Sequence, residues 1–535
     1  MNDRDILSMA VTPEMTGLRR LTQHGLLRSS VLRFPEKTAL VDVAHGYRQE
    51  TYGELWERTN RLANAFSGLG VRKGDRVAYW MEDCLEHVEI WYAASKTGAV
   101  WTAVNALYTG GEAEYVINHS DAVVLIVSPL MVERLLEIKS KLTGIRHFIT
   151  LGDKAAEGMI SYESLLSEAP DREPDVEVRD TDWDSLTYTS GTTGQPSGSI
   201  RTHASGLGWE FNMSQMVGLT HEDKVWAWYP NFHWGGCVST RPVLAAGGTR
   251  WIPGRPDPKA FLEVVQKEKI NKVVAIPSIA TMVCSFPEID RYDTSSVMLW
   301  GSSGSAWLMP VREDVHRKFA SAGLRELYSS TEAFFAWAGH HEVLNCERTS
   351  GFPAPGNEVR ILDFDGNDLP PGKWGLIAIR GISVHDGYYK NPEKTAESMV
   401  GGWFTAHDIG FKDECGRVYV SDRAKDIINT GGETVYPAEV ENVILRHPKV
   451  AWCAVVSSPD PVYTERVTAV IVLKPGLEGS EELAEEIREF CRDKLAPFKL
   501  PRKVDFAREL PFVGSGKVNK KLIRAAYWKD KKFKV

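Results

Sequence analysis

Apolar and polar positions fall into a regular order from Tyr52 onward. TYGELWERTNRLANAFSGLG sets apolar residues at helical spacing and stops on glycine, which predicts an amphipathic helix. DRVAYWM then reads as a strand, HVEIWYAASKTGA as a helix and AVVLIVS as a buried strand. The alternation returns in KAFLEVVQKEK followed by KVVAIP, and in VREDVHRKFASAG followed by LRELYSS. Alternating helices and strands predict an α/β body of largely parallel or mixed sheets sandwiched by helices. Around Gly351 the elements shorten. EVRILDFDGNDLPPGKWGLIAIRG reads as antiparallel strands joined by DG and PPG turns, a small β-barrel-like part. Beyond Lys425 come a helix from Pro437, strands in AWCAVVSS and TAVIVLKPG, and a helix from Ser480 to Leu495. That is a compact α+β unit of about a hundred residues. The predicted organisation is a large domain over residues 1–424 and a small domain over residues 425–535, with the boundary near Asp422–Asp426. No repeat or low-complexity segment interrupts the chain.

Composition mostly removes possibilities. A chain of 535 residues can bury a large core. Its net charge of −8 argues against nucleic acid as a partner. The basic tail KDKKFKV is short enough to be simply solvated. Seven scattered cysteines without a CxxC pair predict neither a zinc site nor a disulfide frame, and point to a reducing compartment. No apolar run reaches the ~18 residues that span a bilayer. MNDRDILSMAVTPEM lacks the pattern of a signal peptide, so a cytoplasmic location is expected.

One stretch has almost nothing to bury. YTSGTTGQPSGSIRTH, Tyr188 to His203, is rich in glycine, serine and threonine and follows the strand-like DSLTYT. Glycines let backbone come close to an anion, and successive N–H groups can point at it. The GxxxxGK[ST] pattern of a Walker A loop is absent. Residue chemistry alone leaves linker and phosphate cradle equally open.

TSGTTGQPSG resembles the signature of the adenylate-forming superfamily of acyl-CoA synthetases, peptide-synthetase adenylation domains and beetle luciferases. The resemblance continues in chain order through YPNFHWGG, YSSTE, GWFTAHDIG, DRAKDIINTGGETVYPAEVE and GSGKVNKKLIR, from about residue 50 to about residue 525. It implies a two-step ligase with ATP, Mg²⁺ and coenzyme A, acting on a small-molecule carboxylic acid. Acyl-AMP forms first, a thiol then displaces AMP, and the small domain rotates between the steps. By resemblance, Thr189, Ser190, Gly191, Thr192, Thr193 and Gly194 hold phosphates, and Ser302, Ser303 and Gly304 run along adenine and substrate. Tyr328, Ser329 and Ser330 flank the adenine, Thr331 donates to the α-phosphate and Glu332 binds Mg²⁺. Asp408 takes the ribose diol, since a carboxylate has acceptors for two hydroxyls. Arg423 is a second ribose and phosphate contact, and Lys425 marks the hinge. Gly431 and Gly432 leave room for a pantetheine arm, His233 stands at the mouth of the acyl pocket, and Lys517 is the adenylation lysine.

The chain departs from the family pattern at three places. Ser197 stands where a loop lysine is common, with Arg201 as a possible substitute cation; His407 and Ser329 stand where glycine is usual. Trp234, Trp300, Phe334, Phe335 and Trp337 are candidate pocket walls, favouring aryl, alicyclic or medium-chain acids. Two other readings stay open at this point: an enzyme loading a carrier protein, and a non-catalytic nucleotide-binding homologue. A homodimer is also possible.

Overall fold

Thr51 opens the first predicted helix with a capping box. Its side chain accepts from the Glu54 N–H, and the Glu54 carboxylate accepts from the Thr51 N–H at 2.8 Å. The structure, a computed structural model, describes residues 21–189, 195–305, 307–346, 349–423, 426–431, 433–435, 437–512 and 518–529. By compactness the chain divides into two units: Met1–Pro256 with Ile382–Thr395, and Asp257–Gly381 with Ala396–Val535.

The first unit holds β1 (Thr38–Asp42), β2 (Arg48–Thr51), α1 (Tyr52–Gly68), β3 (Arg76–Trp80), α2 (Glu86–Thr97), β4 (Val100–Val104), α3 (Gly110–His119) and β5 (Ala122–Val127). It continues with β6 (His147–Thr150), β7 (Ile160–Ser161), β8 (Trp183–Thr189), β9 (Ser197–Thr202), α4 (His203–Val217), β10 (Lys224–Ala227), α5 (Trp234–Val238) and β11 (Thr249–Ile252). One sheet runs β7-β6-β5-β3-β4-β8-β9, parallel except for β9 on its edge. Every residue of α2 is buried, which explains why its apolar residues are not confined to one stripe. In a second sheet β1 pairs with β11 in parallel and with β2 in antiparallel register.

Two features of this unit bear on the site. Ile382–Thr395 lies along the free edge of β9: Ile200 N–H donates to Gly387 O, Asp386 N–H to Ile200 O, and Tyr389 N–H to Gly198 O. A side chain at Gly208 of α4 would run into the Ile382 carbonyl, so that helix needs glycine there. The interior also carries charge. Arg241, 1% exposed, forks onto Asp184 (2.8 and 3.2 Å) and bonds Glu210, which also accepts from Gln23 at 2.9 Å. Burial raises the Glu210 carboxyl to about 7 against the pull of Arg241.

In the second unit, α6 (Pro258–Glu268) precedes three parallel strands, β12 (Lys272–Ala275), β13 (Leu299–Ser303) and β14 (Gly323–Ser329). β15 (Phe334–Ala338) and β16 (Phe352–Pro353) follow antiparallel. A second sheet, the predicted barrel-like part, orders β17 (Asn357–Leu362), β18 (Gly375–Gly381), β20 (Trp403–Lys412) and β19 (Met399–Val400), with β21 (Val418–Arg423) paired to β20. The predicted α+β stretch forms a third. There β22 (Ile428–Thr430), β23 (Glu433–Val435), β24 (Val450–Asp460), β25 (Thr464–Leu473) and β26 (Lys503–Phe506) join α7 (Pro437–Ile444), α8 (Glu481–Arg492) and α9 (Lys520–Trp528). Its core is apolar: Val440, Ile444, Val455, Ala469, Ile471 and Ile487 pack together. The helix expected from Ser480 to Leu495 runs from Glu481 to Arg492, with Ser480 as its N-cap accepting from Leu483 N–H.

Candidate active site

Parallel strands end in carbonyls and loops where ligands bind, so the C-terminal ends of β13 and β14 come first. Ser302 and Ser303 are the buried last residues of β13, and Ser303 pairs with Leu327 of β14. Gly304 follows at φ 91°, a left-handed turn that suits glycine. β14 ends in Tyr328 and Ser329, and Ser330–Ala333 forms a tight turn. Ser330 Oγ accepts from the N–H groups of Glu332 (3.1 Å) and Ala333 (3.2 Å), leaving Thr331 and Glu332 on its rim. In β15 the register skips Phe335, and this bulge sets the Phe335 ring against Tyr328, 4.6 Å between centroids and stacked at 28°.

Asp408 reaches the same place from the next sheet. β20 is irregular here: Leu376 pairs with Ile409 but Ala378 with Thr405, so extra residues bulge out opposite Ile377. Inside the bulge His407 sits at φ 60°, the left-handed region, with its N–H on Thr405 Oγ1 at 3.0 Å. The position where the family pattern has glycine is thus one whose backbone favours glycine; a non-glycine residue there carries strain. The bulge aims Asp408, 9% exposed, at Tyr328, whose hydroxyl donates to Asp408 Oδ2 at 2.8 Å. Asp408 also lies opposite Arg423 in the β20–β21 register. The second unit therefore gathers Ser303, Tyr328, Glu332, Phe335 and Asp408.

In the first unit β8 and β9 form the arms of the Gly/Ser/Thr turn, with Thr189 opposite Ser197. Ser190, Gly191, Thr192, Thr193 and Gly194 lie outside the described residues, as do Lys425, Gly432 and Lys517. Arg201 does not stand free to replace the absent lysine. It is 0% exposed, bonds the Ser383 carbonyl at 3.1 Å and lies 4.5 Å over the Trp234 ring, because strand alternation turns it into the interior. His233 caps the short α5, half-buried beside Phe232. The loop before it is tied down by Asn231 N–H on Asp83 Oδ1 at 2.6 Å; burial holds the Asp83 carboxyl up at about 6.

The aromatic candidates divide. Trp300 packs against Phe261 and Phe319 in the core of the second unit and is no pocket wall. Trp234 is 3% exposed and stacks on Trp101 at 6.2 Å. Phe334 is fully buried, and Arg325 lies over Trp337. Gly431 stands at φ 61°, and a side chain there would meet the Tyr463 ring at 2.7 Å, so the local fold favours glycine whatever else it does.

A family model described as AMP-binding enzyme matches residues 27–389, and its AMP-binding enzyme C-terminal domain matches residues 439–517. The chain belongs to the AMP-binding enzyme family. A feruloyl-CoA synthase of Amycolatopsis sp is 33% identical over 502 residues, 92% of this chain and 96% of that protein. An indoleacetate–CoA ligase of Aromatoleum aromaticum is 31% identical, over 92% of this chain and 94% of that protein. Among solved structures, an anthranilate CoA ligase in complex with anthranoyl-AMP superposes with a TM-score of 0.88 at 26% identity, covering 95% of this chain and 97% of that one. This AMP-binding enzyme is thus an acyl-CoA synthetase-type ligase.

Among the described residues no helix is long and apolar enough to cross a membrane, and no group of three acidic, histidine or cysteine side chains could hold a metal. The donor set here suits a cation shared with a ligand: Glu332 is one buried hard-oxygen group, and Mg²⁺ commonly takes one or two carboxylates and completes its shell with phosphate oxygens and water. Sequence reasoning missed two things in this AMP-binding enzyme. Phe335, taken as a pocket wall, is the backing of Tyr328. The strap Ile382–Thr395 was not assigned at all, though the paired tyrosines Tyr388 and Tyr389 were its available signal.

Proposed function

We propose that the chain is an AMP-forming carboxylate–CoA ligase for aromatic or similarly compact acids. In the first step a carboxylate oxygen attacks the α-phosphorus of ATP, and the bond to the bridging oxygen breaks to release pyrophosphate. In the second, the thiol sulfur of CoA attacks the acyl carbonyl, its proton passes to solvent, and AMP leaves with the electron pair of the acyl–oxygen bond. The observation that carries the reading is the buried Asp408 carboxylate, projected by a strained bulge beside Tyr328.

Asp408 binds the two ribose hydroxyls, as a carboxylate next to a cis-diol can. The adenine lies against Tyr328, whose ring Phe335 holds flat and whose hydroxyl Asp408 fixes. Ser302, Ser303 and Gly304 line the adenine side, and Thr331 donates to the α-phosphate. Glu332 would hold Mg²⁺, which when bound would supply neutralisation of phosphate charge. Arg423 adds a fixed cation, and Lys517 meets the charge that develops at phosphorus. Residues 425–535 form a mobile domain that brings Gly431 and Gly432 to the pantetheine arm for the second step. His233 stands at the mouth of the acid pocket.

The aromatic class is supported by the feruloyl, indoleacetate and anthranilate ligases among the relatives. A panel of acids tested for CoA-dependent AMP release checks it. Aryl and arylalkyl acids should outperform saturated chains beyond about sixteen carbons by at least tenfold in kcat/KM, about 1.4 kcal/mol. Preference for the long chains would overturn the substrate assignment.

A further inference from the structure

Asn231 lies two residues before His233, in the turn that enters α5, and that turn is tightly folded. His233 N–H donates to Pro230 O at 2.9 Å, and Gly236 N–H to His233 O at 3.0 Å. A side chain at Gly236 would come within 2.4 Å of Pro230 O and 2.6 Å of Asn231 Cα, so glycine lets the helix close on the turn. The main chain of Asn231 is held on both sides. Its N–H donates to Asp83 Oδ1 at 2.6 Å, and its carbonyl accepts from the Tyr79 hydroxyl at 3.2 Å. That hydroxyl in turn accepts from Trp91 Nε1 at 2.8 Å.

The side chain of Asn231 breaks this pattern. The residue is 1% exposed, yet neither Nδ2 nor Oδ1 meets a hydrogen-bond partner. Among the described residues, only Asn231 has two buried side-chain atoms in that condition. Buried polar groups are normally paired, because an unmet donor or acceptor costs its full desolvation. With its backbone bonded on both sides, the amide has no route to solvent. Its surroundings are aromatic: Tyr79 stacks on Trp101 and Trp101 on Trp234, each pair 6.2 Å between centroids. Flat apolar walls with one unspent polar group are the make-up of a small-molecule pocket. A carboxamide with both atoms unmet suits a neutral group that accepts from Nδ2 and donates to Oδ1. A hydroxyl does both with one oxygen.

We propose that Asn231 is a specificity-determining residue that selects aromatic acids carrying a ring hydroxyl. The inference rests on the carboxylate–CoA ligase reading above and adds to it one group of the acid. A hydroxylated acid satisfies both amide atoms. Its parent acid leaves them buried and unmet, and a site built to bond a hydroxyl rejects the analogue that lacks one.

The test is CoA-dependent AMP release by the full chain with benzoic and cinnamic acids, each against its three monohydroxy forms. At least one hydroxylated acid should exceed its parent by about tenfold or more in kcat/KM. Asn231→Leu should bring that pair within about twofold, by slowing the hydroxylated acid while sparing the parent. Its thermal stability should not fall, since leucine replaces an unmet amide at similar volume. Asn231→Ala adds no bulk beside Gly236 and should lose the preference in the same way if leucine does not fit. KM for ATP should stay unchanged in both variants. A wild type that never favours a hydroxylated acid by more than about twofold would mean that the amide holds only water. A preference that survives both variants, or equal losses for both acids of a pair, would make Asn231 a structural residue. Each of these results overturns the inference and leaves the ligase reading standing. No AMP release with any acid of the panel would overturn that reading as well.

Discussion

Asp184 and Asp408 are both buried aspartates on strands, yet their surroundings differ in kind. Asp184 is 0% exposed on the regular strand β8 and is met by both arms of the Arg241 guanidinium. Asp408 sits in a distorted strand beside a histidine in left-handed conformation, with a phenol as donor. A carboxylate neutralised by a fixed cation inside the protein has its charge satisfied before any ligand arrives. A carboxylate displaced by a strained bulge within its strand is the one we propose for a ligand. Burial alone does not separate the two; backbone geometry does.

The largest expected effect strikes the structural side of this contrast. Arg241→Met leaves Asp184 and Glu210 buried without their cation and should cost about 3–5 kcal/mol of folding stability in urea titration. A loss below about 1 kcal/mol would mean that the cluster tolerates uncompensated charge. Asp408→Asn should do the opposite. It keeps an acceptor for Tyr328, so stability should change by less than about 1 kcal/mol, while ATP affinity falls by roughly 2–3 kcal/mol, the scale of charged hydrogen bonds. Unchanged ATP affinity would place Asp408 with Asp184 as a structural residue.

His407→Gly sharpens the comparison further. Relief of the left-handed strain should raise stability by about 1 kcal/mol, read in the same titration. A drop in ATP affinity alongside that gain would show that the imidazole itself helps hold Asp408 in place. The smallest effect concerns another buried charge of the first unit. Lys96 is 2% exposed, lies over the Trp56 ring at 3.4 Å and donates to Thr59 and Asn60. Burial drives its ammonium well below the usual lysine range. The folded chain then binds fewer protons here than the unfolded chain, so this group makes stability rise as pH climbs toward the unfolded value near 10.5. Between pH 7 and 9.5 the wild type should gain on Lys96→Met. A constant difference between the two would show that Lys96 stays charged in the fold.

The sequence made the repeating parts of the molecule readable. Helical spacing and strand runs marked β3, β5, α1, α2 and the antiparallel pair β17–β18, because local period follows burial. FTAHDIG, the motif that carries Asp408, lies in β20. What its order of residues could not display was the bulge that aims Asp408, since register depends on partner strands far along the chain. Trp300 shows the reverse difficulty. Its closeness in sequence to a motif made it look like a pocket wall, whereas alternation along β13 turned it into the core. Arg201 was misjudged for the same reason. The bond from Tyr79 to the Asn231 carbonyl joins positions 152 residues apart, and nothing local announces it.

The central claim is a two-step transfer through acyl-AMP. The most direct measurement is a rapid-quench experiment with the full chain, ATP, Mg²⁺ and an aromatic acid, analysed by mass spectrometry before and after CoA is added. Acyl-AMP and pyrophosphate should form without CoA, and the adenylate should turn into acyl-CoA and AMP once the thiol is present. Formation of ADP, or of acyl-CoA with no adenylate preceding it, would contradict the account.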